Sequence, residues 1–219
     1  DLHSFPTRRS SDLHIAISIT VLGEQDLNRA GGKNLRDLEF AIPNVTFYDQ
    51  NDLTKSSVTV RGISTDVRNI GTEVSFATYL DGILLARPGA FYAAQNDLAQ
   101  VEILRGPQGT IFGRNSLSGA FNATTNKPEN DFSLYGTVGT GNYNLFEARG
   151  VVNVPLVDDE LAGRLSFNLH DREGFVKNVY LNETTASYSP RSVRGALRWT
   201  PGQWTVDLSA DYKIGRAHV

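Results

Sequence analysis

Alternation of apolar and polar positions dominates the second half of this chain. The pattern covers residues 132–139, 146–154, 161–169, 192–199 and 203–212, and it is weakest in the first of these stretches. A period of two indicates β-strands whose two faces meet different surroundings. Five antiparallel strands, each with one apolar and one polar face, are therefore predicted.

The first half mixes both periodicities. Strand-like segments cover residues 15–23, 58–63, 74–80, 83–85 and 101–105. Asp81-Gly82 separates two of them, which is a strong hairpin signal. Residues 24–30 suit a short helix, and a second helix is predicted from Asn34 to Pro43. This half predicts a compact α+β domain.

The five predicted strands fit either a soluble sheet packed on one face or part of a transmembrane β-barrel. Their connections favour the barrel, because 155–160 and 200–202 are short and lie at one end, whereas the polar segment 171–191 is long and lies at the other. Trp199, Trp204 and Tyr212 are expected at strand ends on the apolar face, where interfacial aromatic girdles occur. The polar face carries three arginines: Arg164, Arg194 and Arg198.

Composition excludes several classes of protein. The chain has no cysteine, so it has neither disulfides nor thiolate metal sites. A net charge of -3 argues against a nucleic-acid partner. His14 and His170 are far apart, and Ser116 and Ser118 have no identifiable base, so no catalytic residue, metal or cofactor is predicted and the chain is not expected to be an enzyme.

Both ends of the chain look foreign. HSFPTRRSSDL (3–13) and IGRAHV (214–219) resemble translated sequencing-library adapters. Residues 1–13 and 214–219 are therefore expected to be non-native tails of a fragment. The expected domains are 14–128 and 129–213, and because five strands do not close a barrel, its remaining strands are expected outside this sequence.

The stretch VEILRGPQGTIFGRN (101–115) invites comparison with nucleotide-binding loops. A phosphate loop requires a Gly-Lys-Ser/Thr ending, and a dinucleotide fingerprint requires G-x-G-x-x-G. Neither spacing is present, and Pro107 removes an amide donor. The glycines are instead expected to permit tight backbone turns.

The segment DLAQVEILRGPQGTIFGRNSLSGAFNATTNKPEN (97–130) resembles the end of the plug domain of TonB-dependent outer-membrane receptors. ISITVLGEQDL, IPNVTF, VTVRGIST and SFATYLDGILLARPG resemble earlier plug segments, and NVPLVDDELAGRLSF and RWTPG resemble the first barrel hairpins. The resemblance covers 15–213 in the right order. Ser118 replaces a family glycine, and NATTNKP is more polar than the family's version, so a softer last plug strand is expected.

The resemblance implies an α+β plug domain followed by antiparallel β-strands of an incomplete transmembrane β-barrel. It implies active uptake of a scarce nutrient, an iron-siderophore complex in the first instance, across the outer membrane of a Gram-negative bacterium. The implied partners are TonB, through a box preceding Ile15, the nutrient and outer-membrane lipid, with the receptor a monomer. The alternative is a soluble α+β ligand-binding protein with a half-buried antiparallel sheet.

The resemblance also implies roles for individual residues. Arg61 and Arg105 match plug arginines that meet barrel glutamates, although Glu102 offers Arg105 a local alternative. The expected plug hinges and turns are Gly62, Gly106, Pro107, Gly109, Gly113 and Gly119. Weaker ligand-binding candidates, chosen for polarity and loop placement, are Arg68, Asn69, Arg87, Phe91 and Tyr92.

Overall fold

A computed structural model describes residues 18–29, 39, 42–48, 57–64, 75–85, 97–113, 115–180, 183–185 and 187–217. The chain divides into two compact units after Thr125. The first unit is α+β, and the second is an antiparallel sheet that does not close. The predicted fold class is therefore confirmed.

The first unit contains two sheets. Its elements are β1 (Ser18–Gly23), α1 (Glu24–Arg29), β2 (Val45–Tyr48), β3 (Ser57–Val60), β4 (Ile63–Ser64), β5 (Phe76–Leu80), β6 (Ile83–Leu84), β7 (Leu98–Arg105), α2 (Gly109–Phe112) and β8 (Gly119–Thr125). The larger sheet has the order β1-β7-β8-β5-β6, and the smaller has the order β2-β3-β4. β8 lies at the centre, parallel to β5 and antiparallel to β7.

The core of the first unit follows from alternation in its central strands. Val101 and Ile103 of β7 are fully buried, as are Phe121 and Ala123 of β8. They pack in one cluster with apolar side chains of the small sheet and of α1: Leu27, Val45, Phe47, Val58 and Val60. Burying this apolar surface is the main force that holds the two sheets together.

The second unit is one meander of long strands. Its elements are β9 (Ser133–Gly141), β10 (Leu145–Val157), β11 (Leu161–Asp171), β12 (Val176–Asn178), β13 (Glu183–Thr185), β14 (Tyr188–Trp199) and β15 (Val206–Ala217). The main sheet has the order β15-β14-β11-β10-β9, while β12 and β13 form a small hairpin within the long connection.

The two ends of this meander differ as predicted. At one end, the turn after β10 contacts the turn after β14: the Thr200 amide donates to the Glu160 carbonyl at 2.7 Å, and the Thr200 hydroxyl donates to the Asp159 carbonyl at 2.9 Å. At the other end, the Glu173 amide donates to the Tyr143 carbonyl at 2.9 Å. The two turns predicted to be short therefore share one end, and the long connection lies at the other, together with the three-residue β9–β10 turn (142–144).

Cross-strand ion pairs fix the register of β14 against β15. Arg194 lies opposite Asp211, and Arg198 lies opposite Asp207. Both pairs form salt bridges, with the Arg198 Nε 2.7 Å from the Asp207 carboxylate. Because a slip of one residue would turn these side chains to the apolar face, the pairs define one register.

Two details of the last predicted strand are wrong. β15 begins at Val206, because the Trp204 amide donates to the Pro201 carbonyl and residues 200–205 are used in the turn. Trp204 therefore lies in that turn, and Tyr212 lies within the strand rather than at its end. Trp199 is the last residue of β14, as expected. β15 continues into the adapter-like segment, where Ile214 pairs with Arg191.

Other predictions fall on parts of the chain outside the described residues, including most of the second helix between Asn34 and Pro43. Among the described residues, no helix is long and apolar enough to cross a membrane.

A clamp formed by Asp81 closes the end of the larger sheet of the first unit. Asp81 adopts a φ of 49° in the β5–β6 turn, and its carboxylate accepts from the Thr125 amide at 2.9 Å and from the Thr125 hydroxyl at 2.7 Å. The sequence predicts the Asp-Gly turn, but nothing in it indicates the contact with Thr125.

We expect Asp81→Gly to destabilise the first unit by about 2 kcal/mol, because hydrogen bonds to a charged group are lost while glycine still accepts the positive φ. The measurement is urea-dependent proteolysis of the protein. Asp81→Asn serves as the control, since it tolerates the turn and retains one acceptor. Equal midpoints for Asp81→Gly and the wild type would show that the clamp contributes nothing.

Candidate functional site

Arg105 ends β7 and connects two parts of the first unit that are far apart in the sequence. Its Nε and Nη2 donate to the Ser18 hydroxyl at 3.1 and 2.9 Å, and its Nη1 donates to the Pro43 carbonyl at 3.2 Å. Ser18 is the direct β1 partner of Arg105 in the sheet register. The guanidinium fork is therefore oriented by the sheet and by the segment that enters β2.

Arg61 lies in the two-residue turn between β3 and β4. Arg61 and Gly62 have φ values of 50° and 81°, as a type I′ hairpin turn requires. The Arg61 amide donates to the Asn44 carbonyl at 2.9 Å. Its side chain extends to Gly106, where an added Cβ would lie 3.6 Å from the Arg61 Nη1.

The fold thus brings together two arginines that are far apart in the sequence. Arg61 lies against Gly106, the residue after Arg105, and the adjacent residues Pro43 and Asn44 bind the two arginines through their carbonyls. Arg105 itself contacts the Ser18 hydroxyl and the Pro43 carbonyl. This pair of cations in the first unit suits carboxylate partners, which guanidinium groups bind in a forked geometry.

Glu102 lies elsewhere on the sheet and is not the partner of Arg105 in these contacts. Its carboxylate accepts from the Gln100 side chain at 3.1 Å and from the Asn122 side chain at 3.0 Å. The local Glu102–Arg105 alternative is therefore not supported, because residues three apart on a strand face opposite sides.

The glycine-rich stretch after Arg105 folds into a closed lobe. The Gly106 amide donates to the Ser118 carbonyl, the Gln108 amide to the Ser116 carbonyl, and the Gly113 amide to the Gly109 carbonyl. These amides already have partners within the lobe and therefore do not form a phosphate cradle. The Tyr79 hydroxyl, which donates to the Phe112 carbonyl at 2.6 Å, holds the lobe against β5.

Three glycines of this stretch adopt conformations that other residues rarely tolerate. The φ values of Gly106, Gly113 and Gly119 are 102°, 69° and 154°. Gly109 differs, because it begins α2 and has open space on the side where a Cβ would be attached. Pro107 lies between Gly106 and Gln108, where the missing amide leaves the two lobe-closing hydrogen bonds unaffected.

Ser118 forms part of the lobe's base. Its amide and hydroxyl each donate to the Ser75 carbonyl at 2.9 Å, and its side chain is buried. β8, which follows it, pairs with strands on both sides although it carries the polar residues that predicted a softer strand.

The remaining candidates are placed as follows. The ligand-binding candidates Arg68, Asn69, Arg87, Phe91 and Tyr92 lie outside the described residues. Sequence reasoning missed Ser18, Pro43 and Asn44, whose contacts depend on strand register rather than on any motif. In the part of the chain that the structure describes, no group of three or more acidic or histidine side chains could hold a metal ion.

Comparison with known proteins gives a consistent result. The family model described as TonB-dependent Receptor Plug Domain matches residues 11–120. The Pesticin receptor of Yersinia pestis is 25% identical over 204 residues, which are 92% of this chain and 30% of that protein. The Catecholate siderophore receptor Fiu of Escherichia coli K12 is 28% identical over 154 residues, covering 68% of this chain and 19% of its own length. The chain thus spans less than a third of these relatives.

Solved structures share the fold. The ferric yersiniabactin uptake receptor FyuA from Yersinia pestis matches with a TM-score of 0.79 at 22% identity, over 92% of this chain and 32% of that one. The alcaligin outer-membrane receptor FauA from Bordetella pertussis matches with a TM-score of 0.71 at 16% identity, over 93% of this chain and 33% of that one. Since the plug family matches half of the sequence, the chain belongs to the family of TonB-dependent receptors.

Proposed function

We propose that this chain forms the plug and the first barrel strands of an outer-membrane receptor that imports an iron-siderophore complex. The observation that carries the proposal is the plug match, together with a relative named as a catecholate siderophore receptor. The family transports ligands and is not known for enzymes, and the proposal assigns no catalytic residue to this chain.

Arg61 and Arg105 are proposed to hold the plug to glutamates of the barrel. Their convergence beside Gly106 supports this role, because two neighbouring cations are stabilised when carboxylates face them. Arg105 also binds Ser18 of β1. A change in its ionic partners would therefore be transmitted to the first plug strand, which follows the expected TonB-binding box.

The glycines are proposed to be the points at which the plug backbone changes conformation. Gly62, Gly106, Gly113 and Gly119 all occupy positive φ. Glycine moves between conformational regions at a low steric cost, whereas other residues do not. The ligand is proposed to contact plug loops that include Arg68, Asn69, Arg87, Phe91 and Tyr92.

The sheet of the second unit is proposed to face lipid on its apolar side, with the receptor a monomer in the outer membrane. Large exposed apolar side chains support this placement: Leu134, Val138, Phe146, Leu165, Phe167, Leu197, Leu208 and Tyr212. A soluble protein rarely exposes such a continuous apolar face.

The test is iron uptake by Gram-negative cells whose only siderophore receptor is the full-length protein containing this chain. We expect uptake of one class among catecholate, hydroxamate and phenolate chelates labelled with radioactive iron, and loss of that uptake when TonB is deleted. Recovery of the protein in the soluble fraction would favour the soluble ligand-binding alternative. Uptake that does not require TonB would contradict the proposed mechanism.

A further inference from the structure

The apolar face of the main sheet contains a recess of about 570 Å³. Two rows of directly paired residues form it. One row runs Val154, Gly163, Leu197 and Leu208, and the other runs Val152, Leu165, Gly195 and Ala210. Leu156, Arg164, Ala196 and Ser209 complete the lining. The recess exists because Gly163, Gly195 and Ala210 carry no side chain or only a methyl group, whereas the leucines beside them project further from the sheet.

The walls of the recess are leucine side chains that remain exposed. Leu165, Leu197 and Leu208 lie next to these small residues. Leu156 lies above Gly163, with its Cδ1 3.3 Å from a Cβ built there. Nothing lies within 4 Å of a Cβ built on Gly195. The geometry is that of an open, shallow apolar recess, which suits a flexible hydrocarbon chain.

One end of the recess leads to an acidic turn. Asp158 is two residues beyond Leu156, a distance of roughly 7 Å at about 3.4 Å per strand residue. Asp158, Asp159 and Glu160 are all exposed. Trp199 and Trp204 lie at the same end, where amphipathic rings mark the boundary between hydrocarbon and headgroups.

We propose that this recess binds one acyl chain of a phospholipid whose headgroup carries an ammonium group, held by the acidic turn. Charge complementarity selects this occupant: three carboxylates attract an ammonium and repel a purely anionic headgroup. The site belongs to the leaflet on the short-turn side of the membrane. The inference rests on the proposed placement of this sheet in the outer membrane.

The test is lipid retention by the full-length receptor, reconstituted in vesicles containing equal amounts of phosphatidylethanolamine and phosphatidylglycerol. After extraction in mild detergent, native mass spectrometry counts the bound lipids and identifies their headgroups. We expect the wild type to retain phosphatidylethanolamine preferentially. Gly195→Leu places a branched side chain in the recess, starting from a Cβ that has nothing within 4 Å, and should lose most of the retained lipid, whereas Gly136→Leu, on the same face outside the recess, should retain it.

The headgroup contact has its own variant. Asp158→Asn combined with Glu160→Gln should keep the lipid count but lose the preference for phosphatidylethanolamine. Three outcomes would overturn the acyl-chain site: Gly195→Leu retains as much lipid as the wild type, Gly136→Leu loses as much lipid as Gly195→Leu, or the receptor forms a dimer without bound lipid. If the charge variant still prefers phosphatidylethanolamine, the role of the acidic turn is overturned.

These outcomes are separated from the proposed function by assaying the wild type in parallel. A receptor that imports iron from the outer membrane but retains no lipid contradicts only this inference. A receptor that is absent from the outer membrane contradicts the proposed function, and with it the lipid site that depends on that placement.

Discussion

An Arg105→Ala receptor is expected to bind its iron chelate with unchanged affinity and to import it about tenfold more slowly, a loss equivalent to roughly 1.4 kcal/mol. Arg105 is not one of the candidate ligand-binding residues, and it donates to the Ser18 hydroxyl of β1 and to the Pro43 carbonyl. Removing the Arg105 side chain therefore removes the link between Ser18 of β1 and the proposed ion pairs with barrel glutamates. Binding is measured with labelled chelate on cells without TonB, and import is measured with TonB.

Ser18→Ala separates the two roles of Arg105. This variant removes the hydroxyl that accepts from both Nε and Nη2, but it keeps the guanidinium charge. If pairing with barrel glutamates is the important contact, Ser18→Ala should import nearly as fast as the wild type. A defect as large as that of Arg105→Ala would assign the effect to the contact within the plug, and normal import by Arg105→Ala would exclude a coupling role.

Gly119→Ala is expected to reduce plug stability by about 3 kcal/mol or more, because backbone strain and a steric clash act together. The added Cβ would lie 2.3 Å from the Leu104 carbonyl oxygen and 3.1 Å from the Phe76 ring. Both neighbours belong to strands that pair with β8, so neither is free to move away. The expected result is a receptor whose plug is cleaved by protease without denaturant.

Gly109→Ala is the matched control for that experiment. Gly109 begins α2, does not occupy positive φ, and has nothing within 4 Å of a Cβ built on it. Alanine is the better helix former there, so stability should be unchanged or slightly higher. Protease resistance of Gly119→Ala equal to that of Gly109→Ala would contradict the close-packing argument.

The long strands of the second unit could be predicted because each has one apolar and one polar face, so apolar and polar residues alternate along the sequence. The position of the short turns at one end also followed, since successive antiparallel strands alternate in direction. The start of β15 could not be predicted, because Trp204 fits the alternating pattern although its amide donates to the Pro201 carbonyl within the turn.

The candidate site was predictable only in part. Arg61, Arg105 and the glycines were found through the family resemblance, and Asp-Gly identified the β5–β6 turn. Their partners were not found, because Ser18 lies 87 residues from Arg105 and Thr125 lies 44 residues from Asp81. Such contacts arise when strand order and register are combined, and neither is encoded in a short motif.

The order β1-β7-β8-β5-β6 has a consequence for how the plug folds after export. Its central strands are the last of the sheet to emerge in an N-to-C direction, so β1 must wait for β7, and β5 for β8. Pairings over such separations are slow, because long loops must close first. Until β8 arrives, the earlier strands present unpaired edges, so this unit is expected to aggregate more readily while it folds than a sheet of locally paired strands would.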